Sequence, residues 1–317
     1  MKCKKLLLLI SLIPLISCSK NTAIESRVFY FDTLIDIKLY EGNRYYVEFA
    51  KSTLRTIDEL ADNYHERSGV NVYSINHTHN ETEVEYYLVD LLKKSLSVKE
   101  MGATYFNPLC GSLSQLWKDK LANKELPSEE AINVELNKIN TSSLTFVNEE
   151  TVQRIGEATI DLGGIAKGYA LDVIHDAYEQ NNIHKYLINA GSSSILLGRK
   201  DTNNGYFNVG INDIPRAYLK LKDCFVSTSG TSVQGVTING ITYSHIVNPI
   251  TGSAINNYDA VIVVSDKGYL GDALSTSMMM NTLEEIQALE NTLDVKTIVI
   301  KDGQKLYSHP DLKIYYH

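Results

Sequence analysis

Asp161-Leu162-Gly163-Gly164-Ile165-Ala166-Lys167-Gly168-Tyr169-Ala170 is the stretch on which the reading of this chain turns. The residues just before it, 155–160, read as a short strand. Those after it repeat apolar side chains at helical spacing through Ile165, Tyr169, Val173 and Ala177. A glycine pair between strand and helix lets the backbone approach an anion closely, and the unpaired amides and dipole of a helix start favour phosphate. Lys167 in the first turn adds positive charge. The spacing is neither a Walker A loop nor the GxGxxG fingerprint of doubly wound dinucleotide folds. On these ten residues alone a plain strand-to-helix turn stays open as the other reading.

Working outward, Val28 to Tyr40 alternates apolar and polar residues and is rich in aromatic and β-branched types, which predicts a strand. Val47, Ala50, Leu54, Ile57 and Ala61 predict an amphipathic helix over 44–62, and Leu88, Leu91, Leu92, Ser95 and Val98 predict another over 86–101. Ser128, followed by Glu129 and Glu130, predicts a capped helix start. Strands are expected at 185–190, 194–198, 206–211 and 224–228, with a hairpin over 235–247 turning at Asn239-Gly240. Apolar runs at 259–265 and 295–300 flank a helical stretch near 269–290. Helices and strands mix without strict βαβ alternation, so the expected class is α+β, with mixed, largely antiparallel sheets and flanking helices.

The chain has 317 residues, 44% hydrophobic and 21% charged, which places it among ordinary globular proteins rather than disordered ones. Its 30 basic against 38 acidic residues give a net charge of −8. That argues against a nucleic-acid partner, since phosphate backbones call for a basic face, and is compatible with recruiting divalent cations. Cys3, Cys18, Cys110 and Cys224 are too few and too scattered for a disulfide scaffold.

Met1-Lys2-Cys3-Lys4-Lys5 is a basic start, and Leu6–Ile16 is an apolar run of eleven residues. A bilayer-spanning helix needs ~20, so the run fits a secretory signal instead. It ends in Leu15-Ile16-Ser17-Cys18, which resembles a bacterial lipobox; an ordinary signal peptide with an incidental cysteine is the alternative. The expected organisation is a signal peptide over 1–17, lipidation at Cys18, a polar tether over 18–27 and one domain over 28–317. The domain would be anchored to a membrane outside the cytoplasm, on the periplasmic face, with Ser19 favouring the outer membrane.

Two further patches carry chemistry. In Tyr243-Ser244-His245-Ile246-Val247-Asn248-Pro249-Ile250-Thr251-Gly252, a histidine at the end of a hairpin strand precedes a tight turn that would present the imidazole at a rim. Histidine is the usual general base near neutral pH, although a lone histidine also serves structural ends. In Gly271-Asp272-Ala273-Leu274-Ser275-Thr276, Asp272 and Thr276 stand one helical turn apart on a shared face. A carboxylate and a hydroxyl so placed are hard oxygen ligands suited to Mg²⁺; Asp272 as a helix cap is the alternative.

Together the patches resemble the ApbE family, the FAD:protein FMN transferases. The likeness extends over essentially residues 28–300 and includes Val226-Ser227-Thr228-Ser229-Gly230 and Tyr105-Phe106-Asn107-Pro108, all in family order. The resemblance implies Mg²⁺-dependent transfer of FMN from FAD to a Ser or Thr hydroxyl of a partner flavoprotein, with release of AMP. It implies Asp272, Thr276 and the Gly164 carbonyl as metal ligands, and His245 as the base that takes the acceptor's proton. It further implies FAD contacts at Phe31, Tyr64, Tyr105, Phe106, Asn107, Asp161, Lys167 and Ile246. Hydrolysis of FAD to FMN and AMP, or non-catalytic FAD binding by a periplasmic lipoprotein, are the rival expectations. The chain departs from the family pattern at Phe31-Asp32-Thr33, Phe106-Asn107-Pro108-Leu109, Ser192-Ser193-Ser194 and His245-Ile246-Val247-Asn248-Pro249, which bears on acceptor preference and flavin affinity.

Overall fold

Ala-Val-Ile-Val-Val-Ser at 260–265 has no polar alternation, and all of its residues are buried. A strand can be apolar on both sides only where both sides are covered. The computed structural model, which describes residues 23–231 and 235–317, shows what covers them. The basic start, the apolar run and Cys18 lie outside the described residues.

In chain order the first elements are β1 (Ile24–Tyr30), β2 (Thr33–Leu39), α1 (Arg44–Ala61), α2 (Val72–Asn76), β3 (Thr82–Glu83), α3 (Tyr86–Glu100), α4 (Gly111–Ala122) and α5 (Glu129–Thr141). There follow β4 (Ser143–Phe146), β5 (Thr151–Ile155), α6 (Ala166–Gln180), β6 (Tyr186–Ala190), β7 (Ser194–Leu197), β8 (Phe207–Gly210), β9 (Ala217–Leu221) and β10 (Cys224–Gly230). The last are β11 (Val236–Ile238), β12 (Ile241–Tyr243), β13 (Ala260–Ser265), α7 (Gly268–Met278), α8 (Leu283–Leu293), β14 (Lys296–Lys301), β15 (Gln304–Ser308) and β16 (Ile314–Tyr316).

Eight strands form the central sheet in the order β1-β2-β6-β7-β10-β13-β14-β15, every neighbouring pair antiparallel. Alternate residues of β13 go to opposite cores. Val261 and Val263 join Ile57, Ile174 and Leu274 on the side of the helices. Ala260, Ile262 and Val264 join Phe207 and Leu219, which belong to a small sheet ordered β16-β9-β8. The α+β expectation holds. At the sheet's outer edge, β1 and β2 carry two cross-strand ion pairs, Arg27 with Asp36 and Lys38 with Glu25.

Helices α6 and α7 are locked together at their starts. Neither Ile165 nor Lys267, the residues in the N-cap positions, supplies a capping side chain, which leaves the first amides of each helix in need of acceptors. Each helix finds them on the other. Asp172 of α6 accepts from the N–H groups of Gly268 and Tyr269, both at 2.7 Å, and Asp272 of α7 accepts from the N–H of Gly168 at 2.7 Å. Burial pushes the Asp172 carboxyl up to about 7, even though the two amides pull it down. The approach is possible because Gly168 meets Gly268: a Cβ on Gly168 would collide with the Gly268 carbonyl.

Several expected elements differ in the structure. The single strand read over 28–40 is a hairpin whose two-residue turn, Phe31-Asp32, has φ of +52° and +55°. Such a turn favours Gly or Asn; here the Phe31 N–H is held by Asp58 Oδ1 at 2.9 Å. β1 begins at Ile24, so residues 24–27 of the expected tether belong to the sheet edge. The hairpin near 240 spans only 236–243, and the stretch 269–290 is broken into two helices around Asn281 and the capping box of Thr282 and Glu285. Residues 156–160, expected as strand, leave β5 at Gly156, whose φ is +85°.

Replacing Gly168 with Ala at an ordinary helix position would stabilise the helix by about 1 kcal/mol. Here the collision with backbone dominates, and Gly168→Ala is expected to lower the unfolding free energy by roughly 1–3 kcal/mol. Urea denaturation gives the sign directly, and a gain in stability would contradict the close crossing of α6 and α7.

Candidate active site

Asp161 is delivered by an irregular segment that side chains hold in place. Arg154, buried, donates to the carbonyls of Ile75, Asn76, Thr78, Gly156 and Ala158. The Asn76 amide group bonds both ways with the Ile160 backbone, at 2.9 and 2.7 Å, in the manner of a strand neighbour. The N–H of Asp161 then donates to the Pro108 carbonyl at 2.8 Å, which brings the Tyr105–Leu109 segment alongside. Asp161 Oδ1 accepts from the Gly163 N–H at 2.8 Å and turns the chain into α6.

At Gly164 a side chain would be crowded. A Cβ on it would stand 3.2 Å from Phe106 Cε2 and 3.3 Å from Thr276 Oγ1. The Tyr105 N–H donates to Ser277 Oγ at 3.2 Å, tying the same segment to α7. Asn107 spends its Oδ1 on a local turn with the Leu109 N–H at 2.9 Å.

Asp272 is 5% exposed, and none of the ion pairs found among the described residues involves it. Its Oδ1 accepts from Ser194 Oγ at 2.8 Å and Ser227 Oγ at 2.6 Å. Burial pushes this carboxyl above its ordinary range; Lys167, the two hydroxyls and the Gly168 amide pull the other way. Thr276 Oγ1 lies 3.2 Å from Ser229 Oγ. Among the described residues no group of three or more His, Cys, Asp or Glu side chains could hold a metal. The donors that fit one are a buried carboxylate, a hydroxyl and the backbone at a glycine that Thr276 crowds, all hard oxygens of the kind Mg²⁺ prefers.

His245 follows β12 and is fixed from both sides. Ser244 Oγ accepts from the Ile246 N–H at 2.9 Å, and Asn248 Oδ1 gathers the N–H groups of Ile250 and Thr251 at 2.8 and 3.1 Å. The turn closes on Gly252, whose carbonyl accepts from Trp117 Nε1 at 2.7 Å and whose bare Cα faces Ile132 and Leu136 of α5. The imidazole is half-buried, and its Nδ1 is buried without a hydrogen-bond partner. Burial lowers its pKa, Lys118 and Lys167 press the same way, and Asp161 opposes them. The imidazole is therefore neutral over a wider range than a free one.

Lys118 is the residue that sequence reading missed. Its Nζ donates to Tyr64 Oη and lies 5.1 Å from the centre of that ring. Burial lowers the ammonium's pKa, but the Tyr64 bond and the charges of Asp161 and Asp32 outweigh it and hold the group above its ordinary value. A lysine after a tryptophan on an amphipathic helix gives no local signal of a site; only the tertiary fold places it near His245.

The sequence-derived residues thus form two adjoining groups. Phe106, Gly164, Asp272 and Thr276 make one; Tyr64, Asp161, Lys167 and His245, joined by Lys118, make the other, and the charge of Lys167 acts on both Asp272 and His245. Phe31 adjoins Asp32, whose charge Lys118 feels, and Ile246 is buried beside the histidine. Cys110 and Cys224 are both free thiols, each pushed up to about 12 chiefly by burial.

The profile of the ApbE family matches residues 31–299. The chain belongs to the ApbE family. Similar proteins include the FAD:protein FMN transferase of Treponema pallidum, 28% identical over 228 residues, a match covering 65% of this chain and 63% of that one. The FAD:protein FMN transferase of Vibrio cholerae is 23% identical over 273 residues, covering 82% and 81%. The chain therefore spans less than two thirds of the Treponema relative. Among solved structures, the ApbE protein of Thermotoga maritima matches with a TM-score of 0.76 at 24% identity, covering 93% of this chain and 97% of that one. The flavin transferase ApbE of Vibrio cholerae matches at 0.73 and 20%, with the same coverage. At these identities the likeness is one of fold, and the ApbE fold is the one described above.

Removing the positive charge of Lys118 should let the His245 pKa rise, and removing the negative charge of Asp161 should lower it further. NMR titration of the His245 ring in Lys118→Met and Asp161→Asn is expected to show these opposite shifts.

Proposed function

We propose that this ApbE-family chain transfers FMN from FAD to a serine or threonine hydroxyl of a partner flavoprotein, releasing AMP. The observation that carries the reading is the buried, unpartnered Nδ1 of His245 beside Asp161 and Lys167 at the start of α6. The names of the similar proteins from Treponema and Vibrio support it.

The acceptor oxygen would attack the phosphorus of the FMN half, and the bond from that phosphorus to the bridging oxygen of AMP would break. An alcohol is a weak nucleophile until a neighbouring base takes its proton. A neutral imidazole with a lone pair free is suited to that, and its lowered pKa keeps it ready below the usual histidine range. Lys167 at the start of α6 would receive phosphate oxygens, and Lys118 adds a second cation at the mouth. Tyr64, Tyr105, Phe106 and Phe31 offer aromatic faces for a flavin or adenine ring. The donor set of the Gly164 carbonyl, Asp272 and Thr276 would hold Mg²⁺, which supplies Lewis-acid neutralisation of the pyrophosphate. Phosphoryl-type transfer asks a protein mainly for such positioning and charge neutralisation.

The same imidazole would serve a water molecule, which keeps hydrolysis of FAD in view. Incubation with FAD, Mg²⁺ and a candidate acceptor separates the two: a mass gain on the acceptor supports transfer, whereas FMN and AMP with an unmodified acceptor support hydrolysis. In that assay His245→Ala is expected to reduce transfer ~10²–10⁴-fold with FAD affinity retained; undiminished transfer would remove His245 from the role of base.

We also propose that Cys18 is lipidated and that the domain is held at a membrane outside the cytoplasm, on the strength of the basic start, the short apolar run and the small residue before the cysteine. Cys18→Ala should move the protein from the membrane to the soluble fraction on cell fractionation. Its continued presence in the membrane fraction would count against the anchor.

A further inference from the structure

Ser194 of β7 and Ser227 of β10 are register partners across an antiparallel pair. Each is 1% exposed, so each hydroxyl must find a partner inside the protein. Both find the same atom, Asp272 Oδ1, at 2.8 and 2.6 Å. The helix reaches the sheet closely enough for this because residue 271 is glycine: a Cβ there would stand 2.9 Å from Ser227 Oγ and 2.7 Å from Ser265 Oγ. Two residues further along β10, on the same face, Ser229 Oγ lies 3.2 Å from Thr276 Oγ1 and 2.9 Å from Ser275 Oγ. Alternate serines of one strand thus each address one of the two side chains suited to bind a cation.

An ionised carboxylate offers about four acceptor positions, two on each oxygen. On Asp272, both positions of Oδ1 are taken by hydroxyls, and one of the two on Oδ2 is taken by the Gly168 N–H at 2.7 Å. One position on Oδ2 is left. A carboxylate engaged in this way can give a cation one oxygen but not both. The larger Ca²⁺ gathers 6–8 oxygens and readily takes both oxygens of a carboxylate, whereas Mg²⁺ demands a compact octahedron.

We propose that Ser194 and Ser227 are positioning residues that restrict Asp272 to one-oxygen ligation and so make this site prefer Mg²⁺ over Ca²⁺. The inference rests on the reading that Gly164, Asp272 and Thr276 hold a divalent cation. Removing either hydroxyl frees a position on Oδ1, which loosens the orientation that suits Mg²⁺ and opens two-oxygen ligation to Ca²⁺.

The test is titration calorimetry of the whole folded protein with MgCl₂ and with CaCl₂, in the absence and presence of FAD, for wild type, Ser194→Ala, Ser227→Ala and the hydroxyl-retaining Ser227→Thr. Loss of an orienting partner costs 10–100-fold in metal affinity in typical sites. The alanine variants should therefore bind Mg²⁺ about 10–100-fold more weakly while Ca²⁺ affinity falls less or rises. The Mg²⁺:Ca²⁺ preference should drop by about tenfold or more, and Ser227→Thr should keep the wild-type ratio. If an alanine variant loses its metal-free melting transition, Ser194→Cys, which fills the same space with a weak donor, provides the comparison. An unchanged ratio in variants that still bind metal overturns the inference and leaves the metal reading standing. A wild type that binds neither cation, with or without FAD, overturns the metal reading itself.

Discussion

The structure depends on an exchange of carboxylates between two helices. Neither N-cap residue of α6 or α7 supplies a side-chain cap; Asp172 of α6 holds the Gly268 and Tyr269 amides of α7, and Asp272 of α7 holds the Gly168 amide of α6. Hydrogen bonds to a charged group contribute ~1.5–3 kcal/mol each, and burying two carboxylates without ion pairs would otherwise be costly. The exchange fixes where α6 starts relative to α7 and, with it, the distance from Gly164 to Thr276. Chemistry at the mouth of α6 is therefore built on a helix crossing deep in the core. The glycine contact between residues 168 and 268 is what allows it.

From this crossing the rest of the site follows outward. The two serines of β7 and β10 bring the central sheet into contact with Asp272, and Ser277 ties the Tyr105–Leu109 segment to the same helix. That segment holds Asp161 through the Pro108 carbonyl, and Trp117 a little further along holds the turn after His245 through the Gly252 carbonyl. Segments far apart in the chain are joined by single hydrogen bonds at their ends, added to the packing of Phe106, Leu109, Ile165 and Ile246 in the core.

Much of this was legible in the residues. Period-two and period-3.6 patterns located most of the strands of the central sheet and helices α1, α3 and α6. The Asp272–Thr276 spacing placed a carboxylate and a hydroxyl on one face of α7, where both meet serines of β10. What stayed hidden was whatever local chemistry does not announce. Phe31-Asp32 forms a turn whose φ values ordinarily call for glycine, so nothing in its residue types marks it; the turn is set by Asp58 from α1. Residues 156–160 look like a strand, but Ile160 pairs with the Asn76 side chain and the Gly156 and Ala158 carbonyls accept from Arg154. Lys118 looks like a solvated helix residue. The alternation of Ser227 and Ser229 was visible as sequence, but its meaning lies in what stands opposite, which only the packing of α7 on β10 supplies.

The ion pairs on the outer hairpin deserve a different valuation from the buried carboxylates of α6 and α7. Exposed pairs such as Arg27–Asp36 and Lys38–Glu25 contribute little to folding free energy. Yet among the described residues β1 is the terminal strand of a wide antiparallel sheet, with backbone groups facing outward that another molecule's strand could zip onto. A border studded with alternating charge discourages a neighbour from lying flat against it. The consequence expected of these residues is colloidal: they set how densely such molecules can crowd together before strand adds to strand.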